Sequence, residues 1–190
     1  KGYIYENDKK NATFYLSSFS DLVRKILNHS SSSEIKLEEE IEILKLYIDL
    51  EAMLIQDDFK YDIVIGENLD ISHIKIPALL IQPYIENAFK HGLRHKTGKK
   101  ELNIHFELQS NKKYLVISIK DNGIGRDASN RLNAQHNSTH QSFATDATSK
   151  RIALLNSNNK DIVSVKIIDN LTKDHLPLGT TVVLTISLND

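Results

Sequence analysis

Pro77-Ala-Leu-Leu-Ile-Gln-Pro-Tyr-Ile-Glu-Asn-Ala-Phe-Lys-His-Gly92, followed downstream by Asp121-Asn-Gly-Ile-Gly125, is the pair of segments on which the fold and the chemistry turn. The first has the spacing of a helix with an apolar back. Ile81, Ile85, Ala88 and Phe89 share one arc, and Glu86, Asn87, Lys90 and His91 share the opposite one, at about 100° per residue. Pro77 suits the first position of that helix, where a missing N–H costs nothing. Pro83 removes an interior hydrogen bond and predicts a kink or a restart. The amide oxygen of Asn87 is a good ligand for a hard cation such as Mg²⁺, which keeps several waters and takes most other ligands from phosphates. Lys90 and His91 supply cationic groups one turn on, where they can meet phosphate oxygens. The bland alternative is an amphipathic helix with a solvated face.

Asp121 closes a strand, and Asn122-Gly123 is a turn dipeptide with a further glycine at Gly125. A carboxylate there can accept from an exocyclic amine such as adenine N6, and the glycines let a flat ring approach the backbone. Alone, such a turn is unremarkable in meaning. Here it feeds a polar tract, Arg126 to Thr145, and then a helix bearing Lys150 and Arg151. A lid that closes over phosphates accounts for all three, since structureless loops beyond about 12–15 residues are usually functional or disordered.

Composition narrows the classes. The 190 residues suit one domain, or one domain with a helical appendage, and 40% hydrophobic content is enough for a packed core. A net charge of -1 lacks the basic footprint of a nucleic-acid binder, so no nucleic-acid partner is expected. The absence of cysteine excludes a disulfide framework and a thiolate metal site. No apolar run approaches the ~20 residues of a membrane span, and no signal peptide is visible. The chain does not begin with Met and opens close to a helix, so it reads as a piece of a longer protein.

Elsewhere, Asn11 to Leu27 has helical spacing with a broad apolar face, and Asn28 to Ser33 is a polar breaker. Leu37 to Gln56 predicts a second helix with two apolar lines, Leu37-Ile41-Leu44-Ile48 and Ile43-Tyr47-Leu50-Leu54, which calls for burial on two sides. Strands are expected at Tyr61–Ile65, Leu102–Leu108, Tyr114–Lys120, Val163–Ile168 and Thr180–Leu188, with a short helix at Ala147–Asn156. The core is therefore α/β, with antiparallel hairpins at both ends.

Asn87 with its flanks, Asp121-Asn-Gly-Ile-Gly125, the long lid and Gly179-Thr-Thr-Val-Val-Leu-Thr-Ile186 resemble the N, G1 and late-glycine boxes of the GHKL (Bergerat-fold) ATP-binding superfamily. Within it the chain is most similar to LytS-like sensor histidine kinases of two-component systems. Leu37-Glu-Glu-Glu-Ile-Glu-Ile-Leu-Lys-Leu-Tyr-Ile-Asp-Leu-Glu51 and the Ile76-to-Gly92 segment carry that likeness. The resemblance implies a two-layer α/β sandwich of a mixed, largely antiparallel sheet and three helices, preceded by a helical segment. It implies residues 1–32 as the end of a dimerisation and phosphoacceptor region, and 33–190 as the ATP-binding catalytic domain. Its cofactors would be ATP and Mg²⁺. Asn87 would bind the metal, Asp121 the adenine amine, Gly123 and Gly125 would shape the base pocket, and Thr181 would join the adenine-side hydrogen bonds. Glu86, Lys90 and His91 would be catalytic, with Glu86 orienting water or an incoming imidazole, and Lys150 would reach the nucleotide from the lid helix. The implied partners are a response-regulator receiver domain and a second copy in the full-length protein. The implied location is cytoplasmic, with the parent protein in the plasma membrane.

Two departures stand beside this. The glycine-rich second box is missing, since Ser142-Phe-Ala-Thr-Asp-Ala-Thr-Ser-Lys-Arg-Ile152 has Ala144 where glycine is expected. No Asn-Pro-His-Phe-type acceptor motif occurs either, so the acceptor histidine is expected upstream of Lys1. The rival reading is a non-catalytic module that keeps the fold and has lost nucleotide binding. Within the superfamily, ATP-hydrolysing branches carry a water-activating Glu four residues before the metal Asn. That position is Pro83 here, which favours transfer to histidine over hydrolysis. His136 and His140 are four apart, but in a polar tract without further ligands they make a poor metal site. His29, His73, His105 and His175 read as surface or turn residues.

Overall fold

In the computed structural model the described residues are 9–55, 58–109, 113–135, 141–157, 162–174 and 176–188, with backbone alone for 133–135 and 141–146. His136, His140, His175 and the segment Lys1–Glu6 lie outside them, as does the side chain of Ala144. Two compact units result, Lys1–Asp57 with Ile71–Gln82, and Asp58–Asp70 with Pro83–Asp190.

The first unit is built on two helices, α1 (Lys9–Ser30) and α2 (Leu37–Leu54), with a small antiparallel pair, β1 (Glu34–Lys36) and β3 (Lys75–Pro77). Its core joins Leu22 and Ile26 of α1 to Ile43, Leu46 and Leu50 of α2, with Ile35, Ala78 and Leu79 packed in. One apolar line of α2, Leu37, Ile41, Leu44 and Ile48, is buried throughout; on the other Ile43 and Leu50 are buried, Tyr47 is half-buried and Leu54 is exposed. The first turn of α2 would leave backbone donors open. Ile71 and Ile74 carbonyls accept from Glu38 and Leu37 at 3.1 and 2.9 Å. Glu40, fully buried, accepts from the backbone N–H of Leu79 at 2.9 Å and of Ile81 at 3.1 Å. Leu79 has φ 53°, a left-handed conformation that a side chain disfavours, and the two bonds from Glu40 hold it there.

The expected helix start at Pro77 is corrected by this arrangement. Pro77 ends β3, at a position of a short strand where no ladder donor is required. Helix resumes only at Gln82, so Pro83 falls in a first turn and restarts the helix rather than kinking it.

The second unit carries a five-stranded mixed sheet in the order β2-β4-β5-β7-β6, comprising β2 (Phe59–Ile65), β4 (Lys100–Leu108), β5 (Tyr114–Asp121), β6 (Val163–Leu171) and β7 (Pro177–Ser187). Only β2–β4 is parallel; β4–β5, β5–β7 and β6–β7 are antiparallel, and the consecutive pairs β4–β5 and β6–β7 form hairpins. Leu102, Ile104 and Phe106 face in with Leu115, Ile117, Ile119, Leu184 and Ile186, while Asn103, His105 and Glu107 alternate toward the wetter side. That is the pattern of a sheet with one covered face. Helical elements of this unit are α3 (Gln82–Asn87), a π turn (Ala88–Gly92), a 3₁₀ turn (Leu93–His95), α4 (Arg126–Gln135) and α5 (Gln141–Leu155). Ile85, Phe89 and Leu93 are fully buried, and the Phe89 ring meets Phe59 with centroids 5.3 Å apart. The fold is thus α/β, as expected.

The tract from Arg126 to Thr145 is also corrected. It holds all of α4 and the start of α5, which begins at Gln141 rather than Ala147. Polar composition hides a helix when no apolar stripe is needed to anchor it. Among the described residues no helix is long and apolar enough to cross a membrane.

Candidate functional site

The segment after Pro83 is not one regular helix. Asn87 ends α3, and the chain then widens into the π turn, with Leu93 donating its N–H to both Ala88 and Phe89 carbonyls. Single π turns recur at functional sites because they re-aim the side chains on one face. Here Ala88, Phe89 and Gly92 are buried, Asn87 and His91 are half-buried, and Glu86 and Lys90 are exposed. The arc of four polar residues therefore divides. Asn87 and His91 line a cavity of about 650 Å³, and Glu86 and Lys90 are not among its lining residues.

Asp121 lines the same cavity. Its carboxylate is 5% exposed, and Oδ1 accepts the Gly123 N–H at 2.8 Å. Burial pushes its pKa from 3.8 up to about 6, against backbone N–H bonds from Gly123 and Thr180 and the more distant Lys96 charge, which all pull it down. A carboxylate held near the solvent-excluded floor of a concave site, still ionised at neutral pH, is a strong and selective acceptor.

Three glycines make room for it. A Cβ on Gly123 would stand 2.4 Å from Gly92 Cα and 2.7 Å from Asp121 Oδ1; one on Gly92 would stand 2.9 Å from the same oxygen. Gly179, at φ 106°, passes so close that a Cβ would overlap the Asp121 carbonyl. The Gly92 carbonyl also accepts from Ile124 N–H at 3.4 Å. The turn is tied from outside by Asn122, whose side chain accepts from Glu101 N–H at 2.9 Å, and by Lys96, whose ammonium donates to the Asn122 carbonyl at 2.6 Å.

The remaining wall is mixed. Ile119, Val165, Ile167 and Val182 of the sheet give it an apolar side, and Arg126, Ser129, Asn130 and Thr148 a polar one. His91 was expected as a cation; burial, then the Lys90 and His95 charges, lower its pKa, so it is a neutral imidazole at pH 7. Tyr84 at the wall keeps its phenolic proton, its pKa raised by burial.

Among the expected residues, then, Asn87, His91, Asp121 and Gly125 meet around one cavity, with Gly123 packed behind it. Lys150 is exposed and does not line it. Thr181 points away, exchanging hydrogen bonds with Asn170 at 2.9 and 3.1 Å, and its neighbour Thr180 lines the cavity instead. Sequence reading missed Arg126 and Thr180. The first follows Gly125 directly, a position that could have flagged it. The second was masked by Thr180-Thr181-Val182-Val183, where every residue suits a strand and the in–out parity cannot be read.

The residue set suits a nucleotide with a divalent cation. No group of three or more His, Asp or Glu side chains among the described residues is arranged to hold a metal. One amide oxygen, from Asn87, fits an ion that takes its other ligands from phosphate and water. The volume is that of a small-molecule site.

The chain is similar to known proteins in sequence and in fold. A family model described as "Histidine kinase" matches residues 1–59. The chain is 30% identical over 122 residues to "Sensor protein LytS" of Staphylococcus haemolyticus, covering 63% of this chain and 20% of that protein. It is 26% identical over 161 residues to "Sensor protein kinase HptS" of Staphylococcus aureus, covering 85% and 29%. The chain thus spans less than a third of these relatives. In fold it resembles the histidine kinase domain of the blue-light activated histidine kinase of Erythrobacter litoralis EL346, with a TM-score of 0.54 and 13% identity, covering 92% of this chain and 73% of that one.

Proposed function

We propose that the chain belongs with the LytS-like sensor histidine kinases, whose GHKL fold it shares, and that it is the ATP-binding catalytic region of such a kinase. Asp121 accepts the exocyclic amine of adenine, and Gly92, Gly123 and Gly179 keep the surrounding backbone close. The apolar strand residues Ile119, Val182 and Ile167 cover the ring. Thr180, rather than Thr181, serves the base side. Asn87 holds Mg²⁺ through its amide oxygen. When bound, Mg-ATP supplies the γ-phosphoryl group and the metal the charge neutralisation. His91, neutral at pH 7, works by hydrogen bonding, and Lys90 and Lys150 supply positive charge around the phosphates from outside the cavity wall. Glu86 orients the incoming imidazole. The acceptor is a histidine on another part of the full-length protein, which acts as a homodimer and passes the group to a response-regulator receiver domain. This region is cytoplasmic in a membrane-anchored parent. Catalysis rests on positioning and electrostatics rather than on covalent chemistry by the protein.

What supports the reading most is that Asn87 and Asp121, far apart in sequence, line one cavity. Calorimetry with a non-hydrolysable ATP analogue and Mg²⁺ tests it. Binding by the wild type that is lost in Asp121→Ala is the expected result. Silence in both proteins overturns the kinase reading in favour of a fold-preserving interaction module.

A further inference from the structure

We infer that Arg126 and Asp169 form a clasp across the base end of the cavity, positioning the first residue of the lid so as to slow nucleotide release. The inference rests on the nucleotide reading above. Arg126 opens α4 directly after Gly125 and lines the cavity. Its Nε and Nη2 donate to the two oxygens of Asp169 at 2.7 and 2.5 Å, a two-pronged contact across 43 positions of sequence. The pairing holds the Asp169 carboxyl below its ordinary range and the guanidinium above its own.

The register of the sheet puts Asp169 on the face that carries Thr180. It lies on the edge strand β6 opposite Thr180 of β7, and residues directly opposite on paired strands project from the same face. Thr180 lines the cavity, and its backbone N–H serves Asp121. The next residue, Asn170, is fixed to the other face by its reciprocal bonds with Thr181, and the register slips just beyond it. Asp169 is thus the outermost member of a row that begins at Asp121. A second contact lies beside the fork, since a Cβ on Gly125 would come within 3.0 Å of Pro177 Cβ on the same hairpin. The first residue of α4 is therefore tied to the outer edge of the sheet, at the far end of the row that starts at Asp121. A bidentate fork fixes orientation better than a point contact. Exposed pairs contribute little to folding, so the clasp acts on release and hardly on stability.

Stopped-flow release of a fluorescent ATP analogue with Mg²⁺ from the whole chain tests this, with Arg126→Ala, Asp169→Ala and the charge swap Arg126→Asp/Asp169→Arg. Each single variant is expected to release the analogue roughly three- to tenfold faster with little change in association rate or Tm, and the swap to return release toward the wild-type rate. Unchanged release in the singles, a swap as fast as the singles, or faster release that merely follows a fall in Tm would overturn the clasp. A wild-type chain that does not bind the analogue at all overturns the nucleotide reading itself, and the clasp with it.

Discussion

Glu40 in the first unit and Asp121 in the second are both carboxylates removed from water, at 0% and 5% exposure, yet they do different things. Glu40 is closed in by protein. Its two oxygens accept from Leu79 and Ile81 and hold a strained loop in place. Asp121 shares the backbone donors of its turn but also faces a cavity, and its pKa has risen to about 6. Burial alone therefore does not mark a site. A buried charge that still has an open side does.

Replacing each carboxylate breaks this contrast most directly. Glu40→Ala removes the buried acceptor of two backbone N–H groups, one of them on the left-handed Leu79, and is expected to cost about 3–5 kcal/mol in urea unfolding. Nucleotide affinity of the molecules that remain folded stays unchanged. A comparable loss of affinity would show that Glu40 is not purely structural.

Titration separates the two next. A folded-state pKa raised from 3.8 to about 6 means the ligand-free protein binds a proton more readily than the unfolded chain between those values. The stability from that proton is full below pH 3.8 and lost as pH rises to about 6, some 3 kcal/mol in all. Asp121→Asn should remove that slope. On the proposed binding mode nucleotide affinity runs the other way, since the ionised carboxylate is the stronger acceptor for an amine, and it falls by up to about tenfold from pH 7 to pH 5. An affinity that is flat over this range would detach Asp121 from the base.

Glycine substitutions sharpen the contrast at smaller scale. Gly123→Ala forces a Cβ against Gly92 and Asp121 and should cost about 2 kcal/mol together with nucleotide binding. Gly98→Ala meets no atom within 4 Å but must adopt φ 78°, so about 1 kcal/mol is lost and binding is retained. Equal effects on binding from both would mean that crowding around Asp121 does not shape the site.

Much of this was legible in the chain itself. Apolar alternation in Leu102–Leu108 and the two lines of α2 follow directly from burial on one face or two. The Asp121-Asn-Gly turn announced a tight backbone at a strand end. Other features leave no periodic trace. β1 and β3 are three residues each, too short for an alternation to register. The π turn at Ala88–Gly92 changes hydrogen-bond partners without changing which residues are apolar. The polarity of Arg126–Gln135 read as irregular because helix α4 has little apolar surface to declare. At the site, residue types pointed to Asn87 and Asp121, but choosing Thr180 over Thr181, or finding Asp169 as the partner of Arg126, requires the register of β6 on β7.

The contact between Gly92 and Gly123 has a mechanical consequence. Side chains are the slack in a protein, because rotamers let neighbouring segments slip before either backbone moves. Here main chain rests on main chain, with no rotamer to yield. A shift of the Ala88–Gly92 turn, which carries His91, is passed with little damping to the Asp121–Gly125 turn, and so from one wall of the cavity to another.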